Sequence, residues 1–129
     1  MNVSVEGPLE RYSLLLSRSH NSLPIGLQDA LDVLYLSNYA PGIRSRLFYV
    51  KRADDDFFYY ASRKLHPWLP QFSPAVTREQ FIRVAPHGLI YGLDQVSELG
   101  MFIERGASVK WATASNGRFL AEVEMTGKQ

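Results

Sequence analysis

The chain has 129 residues, of which 46% are hydrophobic and 21% charged, so it is long enough to bury a core and has the composition of a folded globular protein. Its 14 basic and 13 acidic residues are spread along the chain, without the basic surplus that is typical of nucleic-acid-binding proteins, so no nucleic-acid partner is predicted. The chain has no cysteine, which excludes disulfides, cysteine-ligated metal sites and thiol chemistry.

The N-terminal part of the sequence predicts a helix followed by a strand. Apolar residues recur at helical spacing after Pro8, and this helix should end in the polar turn at residues 19–22. Residues 23–28 have the composition of a short strand, in which Pro24 is tolerated near the start. We therefore expect the chain to enter its sheet at about residue 23.

The next segment predicts helix, strand and helix in turn. Asp29 is placed to cap a helix that ends at the sequence Tyr-Ala-Pro-Gly of residues 39–42. The nearly continuous apolar run at residues 46–50 predicts a strand that is covered on both faces. Residues 54–66 begin with three acids and end with bases, which favours a helix because these charges complement its macrodipole. Residues 67–76, with three prolines, are predicted to form a loop.

The C-terminal half predicts helix, strand, helix and then a β-hairpin. A capping-box pattern at residues 77–80 begins a helix that runs to about Val84. Residues 87–92 form a strand pattern, and Asp94 is placed to cap a helix that ends at Gly106. The hairpin is predicted from two strand patterns, at residues 108–113 and 118–124, which are joined by a turn at residues 114–117 that contains Asn-Gly.

This order of elements predicts one α/β domain over residues 1–129. The expected architecture is a three-layer sandwich, with helices on both faces of a mostly parallel, Rossmann-like sheet and a C-terminal antiparallel hairpin. Residues 1–22 would form an N-terminal helix and turn, and residues 23–124 the core of the domain. The last strand is expected to be an antiparallel edge strand.

The candidate binding residues follow from this topology, because ligands of parallel α/β sheets lie beyond the carboxyl ends of the strands. Carboxylates and aromatic rings at that edge would suit a sugar or another polyol. The residues predicted there are Asp29, Tyr39, Arg52, Asp54, Tyr91 and Asp94. The alternative, which the pattern favours, is that the three aspartates act only as helix N-caps.

The sequence predicts no catalytic residue, no cofactor and no metal. It has neither a glycine-rich phosphate-binding pattern nor a Gly-x-Ser-x-Gly elbow. Its histidines match no metal-ligand spacing, and we interpret them as structural: His20, His66 and His87. The acidic run at residues 54–56 is interpreted as a helix start rather than an ion site, because three successive side chains point in different directions.

Residues 29–50 resemble a segment of bacterial membrane glycosyltransferases related to the dolichyl-phosphate-mannose protein mannosyltransferases. In that family an Asp leads into a helix that ends in Tyr-Ala-Pro, here residues 39–41, and an Arg-Leu-x-Tyr strand follows, here residues 46–49. A Pro-Trp loop, here residues 67–68, also matches. With the order of the elements, the resemblance spans about residues 23–124.

The resemblance implies a non-catalytic, extracytoplasmic accessory domain of a polyprenyl-phosphate-sugar-dependent glycosyltransferase, on the periplasmic side of the membrane. Such a domain would assist acceptor or glycan binding, and its partners would be that ligand and the membrane domain of its parent. The catalytic acid of the family lies in a loop of the membrane domain, so no catalytic role is transferred to this sequence. Met1 would then lie within a longer parent protein.

Two features of the sequence bear on where such a domain resides. No apolar run approaches the ~20 residues that cross a bilayer, and the N-terminus lacks a secretory-signal pattern, so we expect the given sequence to be soluble.

The alternative function is a stand-alone small protein-binding module of the inhibitor or immunity type. A stand-alone enzyme is the least favoured hypothesis.

Overall fold

A computed structural model of the protein describes residues 12–18, 22–51, 75–115 and 117–125. Its strands are β1 (Ile25–Leu27), β2 (Leu47–Val50), β3 (Ala75–Val76), β4 (His87–Gly92), β5 (Ala107–Ser115) and β6 (Arg118–Met125). Its helices are α1 (Ser13–Ser17), α2 (Ala30–Tyr39), a 3₁₀ helix (Pro41–Arg46), α3 (Arg78–Val84) and α4 (Gln95–Glu104). The predicted helix over 54–66 and most of the loop that follows lie outside the described residues.

The described strands form one six-stranded sheet in the order β3-β2-β1-β4-β6-β5. The first four strands in that order are parallel, whereas β6 is antiparallel to β4 and β5 is antiparallel to β6. This confirms the predicted α/β class, the mostly parallel sheet and the C-terminal antiparallel pair. The carboxyl ends of β1 and β4 and the start of β6 meet at one side of the sheet, which we call the carboxyl edge, because Leu27 pairs with Tyr91 and Gly92 with Phe119.

Three helix starts form where the sequence predicts them, because a side chain satisfies a backbone N–H group at each. Asp29 accepts from the N–H of Leu31, which begins α2. Thr77 and Gln80 form the reciprocal bonds of a capping box at the start of α3. Asp94 caps α4.

The prediction that the last strand is an edge strand is wrong. The strand β6 lies between β4 and β5, so the first strand of the hairpin is on the outside. The burial of the two strands gives the reason, since Phe119, Leu120 and Ala121 of β6 are all buried while Lys110 of β5 is exposed. The strand with apolar residues on both faces takes the inner position.

Two further boundaries differ from the prediction. Residues 75–76 form β3 at the end of the predicted loop, since Val76 pairs with Val50 and its carbonyl accepts from the N–H of Lys51 at 2.8 Å. A 3₁₀ helix that the sequence did not predict occupies residues 41–46, so β2 begins one residue later than expected. Pro41 starts this helix, in agreement with the preference of proline for the first helical turn.

The core of the described residues consists of two clusters of buried side chains, and successive side chains of β4 point into one cluster and then the other. Leu89 and Tyr91 belong to the first cluster, together with side chains of α1 and α2. Ile90 belongs to the second cluster, together with Phe81 of α3 and Phe102 of α4. Within the described ranges, no helix has both the length and the apolar character needed to cross a bilayer.

Candidate functional site

The carboxyl edge contains the point at which the strand order changes direction. From β1 the sheet extends through β2 and β3 on one side and through β4 and β6 on the other. In open α/β sheets this switch point leaves a crevice between the loops that follow the two central strands, and ligands bind there. The loops concerned are those that lead from β1 into α2 and from β4 into α4.

Four side chains join at this edge into what we call the Asp–Arg cluster: Tyr12, Asp29, Asp32 and Arg118. The guanidinium of Arg118 donates through Nη2 to Oδ2 of Asp29 at 2.9 Å and through Nε to Oδ2 of Asp32 at 3.0 Å. The hydroxyl of Tyr12 donates to Oδ1 of Asp32 at 2.8 Å. The cluster therefore connects α1, the start of α2 and the start of β6.

Local structure determines how each member reaches the cluster. Asp29 is the N-cap of α2, so one of its oxygens bonds the helix backbone while the other faces Arg118. Asp32 lies in the first turn of α2, where the helix dipole favours a negative charge. Arg118 is the first residue of β6, and the antiparallel pairing of β6 with β4 brings that residue to the carboxyl edge.

Burial divides the cluster into a closed part and an accessible part. Asp32 is fully buried, whereas the side chains of Asp29 and Arg118 keep 25% and 21% of their surface exposed. Burial raises the pKa of Asp32 above 3.8, although its hydrogen bonds with Arg118 and Tyr12 act in the opposite direction. The accessible part thus presents carboxylate and guanidinium atoms that hydrogen-bond hydroxyl groups.

The pKa of Arg118 responds to the same contacts. Burial alone would lower this pKa, but the hydrogen bond to Asp32 and the charges of Asp32 and Asp29 outweigh burial and raise it. Arg118 is therefore a permanent cation. With both aspartates ionised, the cluster carries one net negative charge.

A second polar group lies at the carboxyl edge and is buried throughout: Gln28, Arg78 and Glu98. Arg78 donates to both oxygens of Glu98 at 2.9 and 2.8 Å, and Nε2 of Gln28 donates to Oε1 of Glu98 at 2.7 Å. Arg78 begins α3 and Glu98 lies in the first turn of α4. We interpret this group as structural, because it joins the two helices and leaves little surface for a ligand.

The structure brings some of the sequence-predicted site residues together and separates others. Asp29 and Tyr91 lie with Arg118 at the switch point, and the ring of Tyr91 is 6.0 Å from that of Tyr12. Asp94 is the exposed N-cap of α4, whose carboxylate accepts from the N–H of Ser97 at 3.4 Å.

Of the remaining predicted site residues, Tyr39 is the one that the structure describes, and it is not at this cluster. Tyr39 is the last residue of α2, ten residues beyond the cap and about 15 Å along the helix, and it stacks on Tyr35. Arg52 and Asp54 lie outside the described residues.

Sequence reasoning did not identify Asp32, Arg118 or Tyr12 as site residues. A signal existed for Asp32, because it is the one charged residue in the otherwise uncharged helix at 30–39. No local signal existed for Arg118, since its partners are 86 and 89 residues away in the sequence.

A third group of polar side chains lies at the opposite end of β4. His87 contacts the carboxylate of Glu122, which also accepts from the indole N–H of Trp111 at 2.7 Å. Burial alone would raise the pKa of Glu122, but the hydrogen bonds to His87 and Trp111 outweigh burial and lower it. Arg18 lies over the Trp111 ring at 4.5 Å. Among the described residues, no three metal-ligating side chains come together here or elsewhere.

Comparison with protein-family models, with curated proteins and with solved structures gave no significant match.

Proposed function

We propose that this chain is a non-catalytic domain that binds a polyol, such as the sugar of a glycan or the acceptor of a glycosyl transfer, at its carboxyl edge. The observation that carries the proposal is the Asp–Arg cluster at the switch point of the sheet. Asp29 and Arg118 keep accessible atoms there. Tyr91 lies in the core at the same edge, with its ring 6.0 Å from that of Tyr12.

The chemistry of the cluster favours an uncharged or cationic polyol over a phosphorylated one. Hydroxyl groups both donate and accept hydrogen bonds, so a carboxylate beside a guanidinium satisfies them in pairs. The cluster contains two carboxyl groups and one guanidinium. When both carboxyl groups are ionised, its net negative charge repels a phosphate. The ligand would be recognised through its hydroxyls, and the phosphate of a sugar donor would be held elsewhere.

On the resemblance of residues 29–50, we further propose that the domain is an accessory part of a polyprenyl-phosphate-sugar-dependent, mannosyltransferase-like membrane enzyme. It would lie at the extracytoplasmic face, next to the membrane domain of its parent, and take part in receiving the acceptor. The Rossmann-like, three-layer arrangement also belongs to this proposal. The assignment of α1 and α2 to one core cluster and of α3 and α4 to the other supports it.

A nuclear magnetic resonance titration tests the binding site. We expect methyl glycosides to shift the backbone resonances of Asp29, Tyr91 and Arg118, and the same sugars carrying a phosphate to shift them less. Arg118→Met should abolish these shifts. Arg105→Met is the matched control, because Arg105 also forms an ion pair, with Glu79 at 2.7 Å, but away from the carboxyl edge.

Two outcomes of this titration contradict the binding proposal. One is that no resonance moves at saturating sugar, and the other is that the Arg105 variant loses binding as fully as the Arg118 variant. A thermal unfolding scan of each variant shows whether the fold is retained. Arg118→Lys, which keeps the charge but not the two-point hydrogen bonding, replaces Arg118→Met if that variant unfolds.

The non-catalytic part of the proposal has its own test. We expect the purified domain to transfer no sugar from a polyprenyl-phosphate donor to an acceptor, since no catalytic role is assigned to any of its residues. Sustained turnover of such a donor by the wild-type domain, lost in a variant of the Asp–Arg cluster, would make the domain an enzyme.

A further inference from the structure

The guanidinium of Arg118 has hydrogen-bond donors that the Asp–Arg cluster does not use. A guanidinium has five N–H groups, one on Nε and two on each terminal nitrogen. In Arg118, Nε donates to Asp32 and Nη2 donates to Asp29, and no further group of the described residues accepts from this side chain. Both N–H groups of Nη1 and one N–H group of Nη2 are therefore free.

The free nitrogen Nη1 is accessible to a ligand. The side chain of Arg118 keeps 21% of its surface exposed. Among the described residues, the buried side-chain atoms that lack a hydrogen-bond partner belong to Gln28, Ser37 and Arg46, so Nη1 of Arg118 is not one of them. Because this nitrogen is unpaired and not buried, its two N–H groups face solvent.

The carboxylate beside these donors has unused acceptor capacity. Oδ1 of Asp29 accepts from the N–H of Leu31 at 3.0 Å, and Oδ2 accepts from Nη2 of Arg118 at 2.9 Å. A carboxylate has about four acceptor sites on its two oxygens, so each oxygen of Asp29 can accept once more. The side chain of Asp29 is 25% exposed, whereas that of Asp32 is 1% exposed and cannot contact a ligand.

The free donors and acceptors together determine which ligand group fits. One hydroxyl accepts from at most two of the three free N–H groups of Arg118, because its oxygen has two lone pairs. A second oxygen must lie close to the first, since Nη1 and Nη2 are bonded to the same carbon atom. Two hydroxyls on adjacent carbons supply both oxygens, and their protons can be donated to Asp29.

A ligand carboxylate matches this pair of side chains less well. Its two oxygens would accept from a guanidinium, which commonly binds carboxylates through two parallel hydrogen bonds. It has no proton to donate to Asp29, however, and it would place a second negative charge beside that residue. The hydrogen bond between Asp29 and Nη2 of Arg118 keeps this charge next to the binding position.

We propose that Arg118 and Asp29 recognise two adjacent hydroxyl groups of a vicinal diol, and that Asp29 excludes ligand carboxylates from the guanidinium. One hydroxyl would accept from Nη1 and its neighbour from Nη2, while a proton of the pair is donated to Asp29. The inference rests on the proposed function and adds the chemical class of the ligand. Asp29 is then the residue that determines specificity.

Nuclear magnetic resonance titrations of the wild-type protein at pH 7 test the ligand class. The probes share one ring: cis-1,2-cyclohexanediol, cis-1,4-cyclohexanediol and cyclohexanecarboxylate. We expect the 1,2-diol to shift the resonances of Asp29 and of the Arg118 side chain, with a dissociation constant about fivefold lower than that of the 1,4-diol. The second adjacent oxygen adds about one net hydrogen bond. The carboxylate should bind most weakly.

An exchange of the carboxylate for an amide tests the role of Asp29. Asp29→Asn should weaken binding of the 1,2-diol by about fivefold and strengthen binding of cyclohexanecarboxylate, so that the preference between them reverses. Asparagine caps a helix as well as aspartate does, so α2 should remain folded. Glu79→Gln is the matched control, because Glu79 also pairs with an arginine, Arg105 at 2.7 Å, but not at the Asp–Arg cluster. It should leave both affinities unchanged.

Several results would overturn the inference. The wild type could bind the 1,4-diol or the carboxylate as tightly as the 1,2-diol, or Asp29→Asn could weaken both ligands equally, as a purely structural role predicts. If methyl glycosides bind at Asp29 and Arg118 but the 1,2-diol is not preferred, the sugar site stands and only this inference fails. If neither the glycosides nor the diol shifts a resonance, both proposals fail. Should circular dichroism show that Asp29→Asn is unfolded, the three wild-type titrations decide.

Discussion

At the scale of single residues, Asp32 shows how a buried charge is held in this protein. Each of its two oxygens has a donor, since Oδ1 accepts from the Tyr12 hydroxyl and Oδ2 accepts from Nε of Arg118. A buried carboxylate is costly without such donors. Burial is still the stronger influence, which is why the pKa of Asp32 is raised.

The raised pKa of Asp32 leads to a prediction about pH. A carboxyl whose pKa is higher in the folded state than in the unfolded state stabilises the fold below the unfolded value, and this contribution is lost as pH rises through the folded pKa. We therefore expect the free energy of unfolding of the wild type, relative to Asp32→Asn, to fall as pH rises from below 3.8 to neutrality. Urea unfolding of both proteins across this range measures the difference, and a difference that is independent of pH would contradict the prediction.

Gly92 shows a different constraint at the same edge. A Cβ atom at this position would lie 2.3 Å from Oε1 of Gln28 and 3.0 Å from the ring of Phe119. Gln28 cannot withdraw easily, because it is buried and its Nε2 is bonded to Glu98. The absence of a side chain at residue 92 therefore allows β4, Gln28 and β6 to pack together.

We predict opposite effects for two glycine substitutions. Gly92→Ala should lower the free energy of unfolding by about 1–3 kcal/mol through overpacking. Gly100→Ala in α4, where a Cβ would meet nothing within 4 Å, should raise it by about 0.5–1 kcal/mol, because alanine favours the helix. Chemical denaturation measures both. Equal effects of the two changes would show that the contact with Gln28 does not constrain residue 92.

At the scale of elements, the packing of α3 and α4 depends on a buried ion pair. Arg78 and Glu98 are each less than a tenth exposed and form two hydrogen bonds with each other. A pair of this kind contributes little net stability compared with apolar residues, but removal of one partner leaves a buried charge without compensation. Gln28 then remains as the only described side-chain partner of Glu98.

We predict that the effect of Glu98→Gln on the free energy of unfolding changes sign when Arg78 is also replaced. Glu98→Gln should destabilise the wild type by about 3–5 kcal/mol, because Arg78 loses its counter-charge. In the background of Arg78→Met, the same Glu98→Gln change should stabilise the protein, since it removes the uncompensated carboxylate. Free energies of unfolding of the four proteins give the coupling. If Glu98→Gln has the same effect in both backgrounds, the two residues are not coupled.

At the scale of the whole molecule, strand order determines which strands form backbone hydrogen bonds on both sides. Strand β4 bonds β1 on one side and β6 on the other, and β6 bonds β4 and β5. Within the described sheet, β5 has a neighbour on one side only. The edge position suits its sequence, because the exposed Lys110 discourages pairing with another chain.

The rates of amide hydrogen exchange should distinguish the inner strands from the edge strand. We expect the amides of β4 and β6 to exchange slowest, and those amides of β5 that point away from β6 to exchange faster by on the order of a hundredfold or more. Exchange followed by nuclear magnetic resonance measures each amide separately. Uniform protection along β5 would instead mean that something pairs with this edge in solution.

The sequence by itself determined the features that depend on neighbouring residues. The N-caps Asp29 and Asp94, the capping box of Thr77 with Gln80 and the hairpin after Ser115 each satisfy backbone groups only a few residues away. Their bonds form wherever the local chain adopts the helix or turn, so composition and spacing were sufficient to predict them.

Only the tertiary structure decided which elements meet. Arg118 and Asp32 form an ion pair although they are 86 residues apart in the sequence. Strand β6, which was expected at the edge of the sheet, lies between β4 and β5. The ion pair does not follow from a local pattern, because many partners satisfy the same charge. The inner position of β6 agrees with the apolar residues on both of its faces, but which strand of the hairpin pairs with β4 is decided only when the sheet forms. The choice depends on the total apolar surface buried when the sheet closes, and this also places the Asp–Arg cluster at the switch point.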